Sequence, residues 1–273
     1  MNPLLQRYDE HLVLDAGSWS ERNERNRALA TRVHLEGMQE TGLQIANVAG
    51  RDLLLGPDEL QRLQDELRIQ FLSANIYVDG KLGFQPFVVL QKRVGGRSVR
   101  IGITAVTTPS QIAQEEWPAG QALEIIDPID AAKQMLEALR PQTDLRILLA
   151  HVPLAKLEEL ARDEPFGYDL LVCGTGETRE TIPVGPTPAV LSPGTRAKHL
   201  AWVILGVPAK GETSIQGGEI LALDERIADD PVVASLVDAF KQRLAAANEA
   251  EPHTAASAPE PEEQPAGAAA SNP

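Results

Sequence analysis

Cysteine and aromatic residues are scarce in this 273-residue sequence, and long apolar runs are missing. The single cysteine, Cys173, excludes an internal disulfide and a zinc site built from cysteines. Aromatic residues make up only 4% of the chain, so its core must consist mainly of leucine, isoleucine, valine and alanine. No apolar run approaches the ~20 residues that a membrane-spanning helix needs, and we therefore expect no membrane span.

Cations are also in deficit. The chain has 25 Lys and Arg against 39 Asp and Glu, giving a net charge of −14. Nucleic-acid binding depends on neutralising phosphates with Lys and Arg, so this balance argues against a nucleic-acid partner. The N-terminus, "MNPLLQRYDEHLVLDAG", lacks the basic and then apolar stretches of a signal peptide. The sequence as it stands thus predicts a cytoplasmic protein.

Two regions of different composition divide the chain. With 43% hydrophobic residues, it can bury one sizeable core. In residues 249–273, however, thirteen of 25 residues are Ala or Pro, five are acidic, and none is Lys or Arg. Such a segment cannot bury enough apolar area to offset chain entropy. We predict one folded domain over residues 1–248 and a disordered Ala/Pro/Glu tail over residues 249–273.

Strand-like and helical segments alternate along the folded region, and the segment "IQFLSANI" is expected to form one strand. Gly42 suits the left-handed end of a first helix, Pro57 the first turn of a second, and Asp127 the N-cap of a third. Two apolar segments flank a turn at Gly95 and Gly96, which predicts a β-hairpin. Alternating strands and helices indicate βαβ units around a largely parallel core, with antiparallel strands added later in the chain.

Nine phrases of the sequence follow one another in a recognisable order between residues 11 and 207. They are "VLDAGS", "IANVAGRDLLLGPDEL", "LSANI", "PFVVL", "VRIGITAV", "DPIDAAKQMLEALR", "ILLAHVPL", "DLLVCGTGE" and "VLSPGTRAKHLAWVIL". This series resembles the metallophosphoesterase domain of the 5'-nucleotidase family. The resemblance implies an α/β fold, a four-layer α/β/β/α sandwich with mixed sheets that holds two metal ions between strand ends.

The metal ligands that the resemblance implies are mostly replaced. Relatives use an Asp-x-His on a first strand, a Gly-Asp, a Gly-Asn-His-Glu, a lone strand-end His and a Gly-His turn, because paired divalent ions need anionic and imidazole ligands. We expect that first strand to be missing. Only His151 keeps its expected type, at the strand end. The positions of the other ligands carry Ser18, Gly50, Thr175 and Glu177, and the position of the catalytic histidine carries Arg51, followed by Asp52. Leu54 stands at the position of the acid that supports this histidine.

Three hypotheses about function follow. The first is a catalytically degenerate protein that needs no cofactor and acts as a binding or scaffolding module. Its ligand would be a phosphate-bearing small molecule bound by Arg51, or a protein partner. A guanidinium binds phosphate in a planar fork but cannot transfer a proton near neutral pH. The second is a phosphohydrolase with residual activity and a single divalent ion, Mn or Zn, held by His151 and Glu177. The third is a reading frame that starts late, whose upstream part supplies the first strand and an export signal to the periplasm or cell envelope.

Purely structural roles compete with these functions. His151 could be satisfied by a backbone carbonyl, and the Ser18 and Thr175 hydroxyls could bond to loop backbone. Arg51 could pair with Asp52. The "GTGE" turn could hold an anion with its backbone N–H groups, or Glu177 could simply be solvated.

Two further expectations concern cations. An unpaired buried charge is costly, so we expect Arg51 and Glu177 to approach each other across the former metal site. In "SPGTRAK", Arg196 and Lys198 lie near a strand end that faces the active cleft in relatives, and the simpler interpretation is a positively charged turn.

Overall fold

The computed structural model describes residues 8, 10–21, 26–109, 117, 120–162, 167–176, 178–179, 181–209 and 212–250. Within them the chain forms five α-helices and fourteen strands. The helices are α1 (Arg27–Glu40), α2 (Pro57–Leu67), α3 (Pro128–Leu139), α4 (Leu154–Arg162) and α5 (Pro231–Ala250). The strands are β1 (Val13–Asp15), β2 (Leu43–Asn47), β3 (Gln70–Leu72), β4 (Ile76–Val78), β5 (Lys81–Leu82), β6 (Phe87–Val94), β7 (Arg97–Thr107), β8 (Leu123–Ile125), β9 (Leu145–His151), β10 (Leu170–Cys173), β11 (Gly185–Pro186), β12 (Ala189–Leu191), β13 (His199–Gly206) and β14 (Ser214–Ala222).

The helix ends confirm the local signals of the sequence. Gly42 has a φ of 93° directly after α1, and Pro57 is the first residue of α2. The Asp127 carboxylate caps α3 by accepting hydrogen bonds from the backbone N–H groups of Ile129 (2.8 Å) and Asp130 (3.0 Å).

A five-stranded sheet forms the centre of the molecule, in the order β12-β10-β9-β7-β6. Its strands are parallel except β6, which pairs antiparallel with β7 through the predicted hairpin at Gly95 and Gly96. A second sheet, β1-β2-β3, is parallel throughout, and β1 is the first strand of the described residues. Two antiparallel sheets, β11-β14-β13 and β5-β4-β8, complete the fold.

Three apolar layers separate four layers of secondary structure. Side chains from β2, β3, β7 and β9 fill the space between the two parallel sheets, among them Ile45, Leu72, Ile103 and Leu149. Helices α1 and α2 cover the outer face of the three-stranded sheet through Leu35, Leu60 and Leu63. Helices α3 and α4 cover the five-stranded sheet through Leu136, Leu139 and Leu157. The predicted α/β/β/α sandwich is therefore confirmed.

One predicted strand is divided in the structure. The segment "IQFLSANI", expected to form a single strand, gives β3 and β4, which belong to different sheets. The cause is Asn75, whose buried amide accepts from the Thr107 N–H (3.0 Å) and donates to the carbonyls of Thr107 (2.7 Å) and Ile126 (2.8 Å). These bonds turn the chain away from the three-stranded sheet after Leu72.

Two further predictions concern the C-terminal boundary of the domain and membrane-spanning helices. Helix α5 continues to Ala250, two residues beyond the expected domain boundary, and the rest of the predicted tail lies outside the described residues. None of the described helices has the length and apolar character that crossing a bilayer requires.

Candidate functional site

The loops that follow β1, β2, β9 and β10 meet at one end of the two parallel sheets. Asn47, at the end of β2, donates to the carbonyls of Ala16 and Val106, both at 3.0 Å. Gly174, directly after β10, packs closely against Ala16 and His151. A Cβ added to Gly174 would be 2.4 Å from the Ala16 carbonyl oxygen and 2.8 Å from Nδ1 of His151. This convergence brings the ends of β1, β2, β9 and β10 next to one another.

Asp52 holds two of these loops together. Its fully buried carboxylate accepts hydrogen bonds from the backbone N–H groups of Ser18 (2.8 Å), Ser20 (2.8 Å) and Ala49 (2.9 Å). Burial raises the pKa of Asp52 to about 6, although these three donors oppose the rise. At neutral pH its ionised carboxylate thus anchors the loop after β1 to the loop after β2.

Arg51 bridges the same two loops from the other side. Its guanidinium donates to the Ser18 carbonyl, and the Ser20 hydroxyl donates to the Arg51 carbonyl at 2.9 Å. Ser18 has a φ of 70°, a left-handed conformation that few non-glycine residues adopt. In this conformation the Ser18 N–H donates to Asp52 and the Ser18 carbonyl accepts from Arg51. Arg51 and Asp52 therefore bind the backbone of Ser18 on both sides.

His151 lies at the end of β9 and is electrostatically linked to Arg51. Burial, and next the nearby charge of Arg51, lower the pKa of His151 to about 4, so its imidazole is neutral at pH 7. Its Nδ1 is buried and makes no hydrogen bond within the described part of the chain. The proposed backbone carbonyl partner is therefore not seen for this nitrogen.

A threonine hydroxyl group ties the turn after β10 to the end of β9. The Thr175 hydroxyl donates to the Val152 carbonyl at 2.5 Å, the loop-bonded arrangement considered for it. Glu177 lies outside the described residues, so its approach to Arg51 and its role as a metal ligand stay predictions.

Sequence reasoning missed three features of this region. The Thr178 hydroxyl lies 3.2 Å from Nδ1 of His199 and joins the turn to the start of β13. Arg196, in the cationic "SPGTRAK" segment, has a left-handed φ of 63°. Burial also raises the pKa of Asp15 to about 6, against the opposing effect of the Gly17 N–H. The Thr178–His199 contact spans 21 residues and leaves no local pattern, whereas Asp15 followed two residues later by Gly17 is a local turn signal.

The donors among the described residues do not form a two-metal centre. Ser18 meets its neighbours through its backbone, and the Asp52 carboxylate is occupied by three N–H groups. Arg51 adds positive charge beside His151, which opposes the binding of a cation. No three His, Cys, Asp or Glu side chains among the described residues lie close enough together to share a metal ion.

Two clefts among the described residues lie elsewhere. One, of about 490 Å³, opens between the starts of β2 and β3 and the strand β6, and is lined by Gln44, Gln70 and Lys92. The other, of about 220 Å³, lies beside α2 and includes Phe71 and Trp117. Neither is lined by Arg51 or His151.

Comparison with known proteins gives similarity in structure alone. No protein-family model and no curated protein sequence matches the chain. The solved 5'-nucleotidase precursor from Thermus thermophilus superposes with a TM-score of 0.68 at 22% identity, covering 89% of this chain and 51% of that one. The NAD nucleotidase from Haemophilus influenzae gives a TM-score of 0.64 at 18% identity, covering 88% and 48%.

A third structure is matched over most of its length. The calcineurin-like phosphoesterase from Bacillus subtilis has a TM-score of 0.68 at 16% identity, covering 88% of this chain and 85% of that chain. The present chain thus spans about half the length of the first two structures, at 51% and 48%. The layer order and these superpositions together show that the chain has the metallophosphoesterase fold found in 5'-nucleotidases and calcineurin-like phosphoesterases.

Proposed function

We propose that this chain binds a phosphate group at Arg51 without hydrolysing the phosphate ester, and acts as a binding or scaffolding module. The observation that carries the proposal is the position of the Arg51 guanidinium. It spans from the loop after β2 to the Ser18 carbonyl and lies near enough to His151 to lower the pKa of that imidazole. A fixed cation therefore stands at the strand ends, beside a neutral ring.

Such an arrangement suits recognition of an anion. A guanidinium offers several N–H donors in one plane, which match the oxygens of a phosphate. The loops around Arg51 are braced by the buried Asp52 carboxylate, so the cation is held on a supported backbone. A phosphate-bearing small molecule is the ligand that this chemistry favours, and a protein partner is the alternative.

Hydrolysis has weaker support. Arg51 cannot act as a general acid or base near neutral pH. His151, with its pKa lowered to about 4, is not protonated at pH 7 and cannot donate a proton to a leaving group. The described donor set also does not fit the paired metal ions that would supply a hydroxide nucleophile.

Titration with inorganic phosphate and with adenosine monophosphate tests the proposal. We expect Arg51→Met to weaken binding of both by about tenfold or more, because a charge-assisted contact is worth roughly 1.5–3 kcal/mol. Arg62→Met is the matched control, since Arg62 is exposed on α2 and pairs with Glu59 at 2.6 Å. Equal affinities for the wild type and both variants would rule the Arg51 site out.

A second candidate is a phosphohydrolase with one divalent ion. It is favoured by the buried Nδ1 of His151, which has no hydrogen-bond partner among the described residues and could offer a lone pair. Glu177 is the other predicted ligand. Assay of a generic phosphate ester in Mn²⁺ or Zn²⁺ tests it: turnover that disappears in His151→Ala supports this candidate, and turnover unchanged in that variant excludes it.

A further inference from the structure

The smaller cavity, beside α2, has walls that are mainly apolar and partly aromatic. Its volume is about 220 Å³, and one ring comes from each of three segments: Phe71 of β3, Phe84 after β5, and Trp117. Leu60 of α2 and Val78 of β4 add aliphatic surface. All five side chains belong to, or pack against, the apolar cluster beneath α1 and α2. In a chain with only 4% aromatic residues, this is a local concentration of rings.

Contacts within the fold support the walls of this cavity. Phe71 is 1% exposed, and its ring stacks on that of Trp19 with 4.9 Å between the ring centroids. The Phe71 backbone N–H donates to the side-chain oxygen of Gln64 at 2.9 Å, which ties β3 to α2. The Gly83 N–H donates to the Ile76 carbonyl at 2.9 Å and fixes the turn after β5. These contacts need no ligand, so the walls are preformed.

The charge at the cavity is negative. Asp58, exposed in the first turn of α2, is the only ionisable side chain among the described residues that line it. Its full charge exceeds the partial positive charge of about half a unit at a helix start. The neighbouring Glu59 is paired with Arg62 at 2.6 Å, whereas Asp58 has no ion pair within the described part of the chain. The cavity therefore combines three rings with one free carboxylate.

We propose that this cavity binds a small methylated ammonium ion. A cation near the face of an aromatic ring is attracted by the ring's electron density, and tryptophan provides the strongest attraction. A bare ammonium group needs several hydrogen-bond acceptors in place of water, whereas methyl groups suit the aliphatic walls of Leu60 and Val78. Sites for drug-sized ligands have volumes of ~300–1,000 Å³, so this smaller cavity suits a compact ion such as choline. The ion is opposite in charge to the phosphate proposed for Arg51, and the two sites share no residue.

Calorimetric titration of the full chain with choline and two analogues tests the ligand class. One analogue is the neutral alcohol in which a tert-butyl group replaces the trimethylammonium group, so it keeps the shape and loses the charge. The other is ethanolamine, which keeps the charge and loses the methyl groups. We expect each analogue to bind at least about tenfold more weakly than choline, because the first loses the attraction to the rings and the second leaves N–H groups without acceptors.

Paired variants test the site itself. Asp58→Asn and Phe84→Leu should each weaken choline binding by about threefold or more, since one removes the carboxylate and the other a ring. Asp130→Asn is the matched control for the charge, because Asp130 is exposed in the first turn of α3, which also begins with a proline. Phe87→Leu, at a half-buried position of β6, is the control for the ring. Both controls should bind choline as the wild type does, and circular dichroism establishes that all four variants fold.

A nearby lysine gives a test in the opposite direction. Lys81 stands opposite Val78 in the β4–β5 pair and does not line the cavity. Its charge opposes a bound cation, so Lys81→Gln should bind choline at least as tightly as the wild type. The proposal would be overturned by an absence of choline binding, by equal affinity for choline and its neutral analogue, or by equal affinity of Asp58→Asn and Asp130→Asn for choline.

Discussion

Replacement of Gly174 by alanine tests the packing that brings the loops of the site together. A Cβ at this position would be 2.4 Å from the Ala16 carbonyl oxygen, 3.0 Å from the Ala16 carbonyl carbon and 2.8 Å from Nδ1 of His151. The first two neighbours are backbone atoms that cannot move by rotating a side chain, so β1 and β10 must separate. Overpacking of this kind costs about 1–3 kcal/mol, and we expect a value near the upper end.

The free energy of unfolding, from urea denaturation, is the quantity to measure. For a domain of this size, a loss of about 2–3 kcal/mol corresponds to a fall in melting temperature of roughly 4–12 °C. Gly37→Ala is the matched control, because Gly37 lies inside α1 and its added Cβ would meet only Val233, at 3.6 Å. Alanine there should stabilise the protein by about 0.5–1 kcal/mol.

The two substitutions are therefore expected to act in opposite directions. A Gly174→Ala protein as stable as the wild type would refute the close approach of the loops after β1, β9 and β10. If both variants lost stability equally, the cost would come from the added methyl group in general rather than from the site.

Three further predictions concern single side chains. Asp127→Ala should cost about 1 kcal/mol of unfolding free energy through the lost N-cap of α3, while Asn75→Ala should cost about 2–4 kcal/mol by leaving buried backbone groups unpaired. Because the pKa of His151 is lowered from 6.5 to about 4, the stability it provides is present above pH 6.5 and is lost as the pH falls towards 4. The stability advantage of the wild type over His151→Gln should therefore shrink by about 3 kcal/mol between pH 7 and pH 4. The pKa values of Asp15 and Asp52 are raised to about 6, so the stability that these groups contribute is lost as the pH rises. This loss is the same in the wild type and in His151→Gln, and it cancels in the comparison.

Each of these has its own check. Gln61→Ala, on the exposed face of α2, is the control for Asn75→Ala and should change stability by less than about 0.5 kcal/mol. An Asp127→Ala protein with the same unfolding free energy as the wild type would argue against the N-cap. A constant stability difference across the pH range would show that His151 is not buried beside Arg51.

Local signals in the sequence were sufficient to predict most of the fold. Gly42, Pro57 and Asp127 act on their own helix ends, within a few residues, so their effect can be recognised without the tertiary structure. The division of "IQFLSANI" could not be recognised, because Asn75 bonds to Thr107 and Ile126, which are 32 and 51 residues away. The pattern of apolar residues is continuous there, and only distant backbone decides where the strand ends.

The candidate site shows the same division between local and distant causes. The residue types at Ser18, Arg51 and His151 stand in the sequence, so the hypothesis of an altered metal site needs no tertiary structure. The role of Asp52 was not predicted, because its partners Ser18 and Ser20 lie 34 and 32 residues earlier and are bound through backbone N–H groups. A neighbouring arginine made an ion pair the simplest interpretation, and the folded chain instead uses this carboxylate as a loop anchor.

We propose that the ligand positions that the resemblance implies do not bind a pair of divalent ions in this chain. Elemental analysis of the full chain, purified without chelators, measures this most directly. We predict no stoichiometric divalent metal, because Ser18, Gly50 and Thr175 replace ligands that the resemblance implies, and three N–H groups already occupy the Asp52 carboxylate. Two equivalents of a divalent metal per chain, lost on replacement of His151, would contradict it.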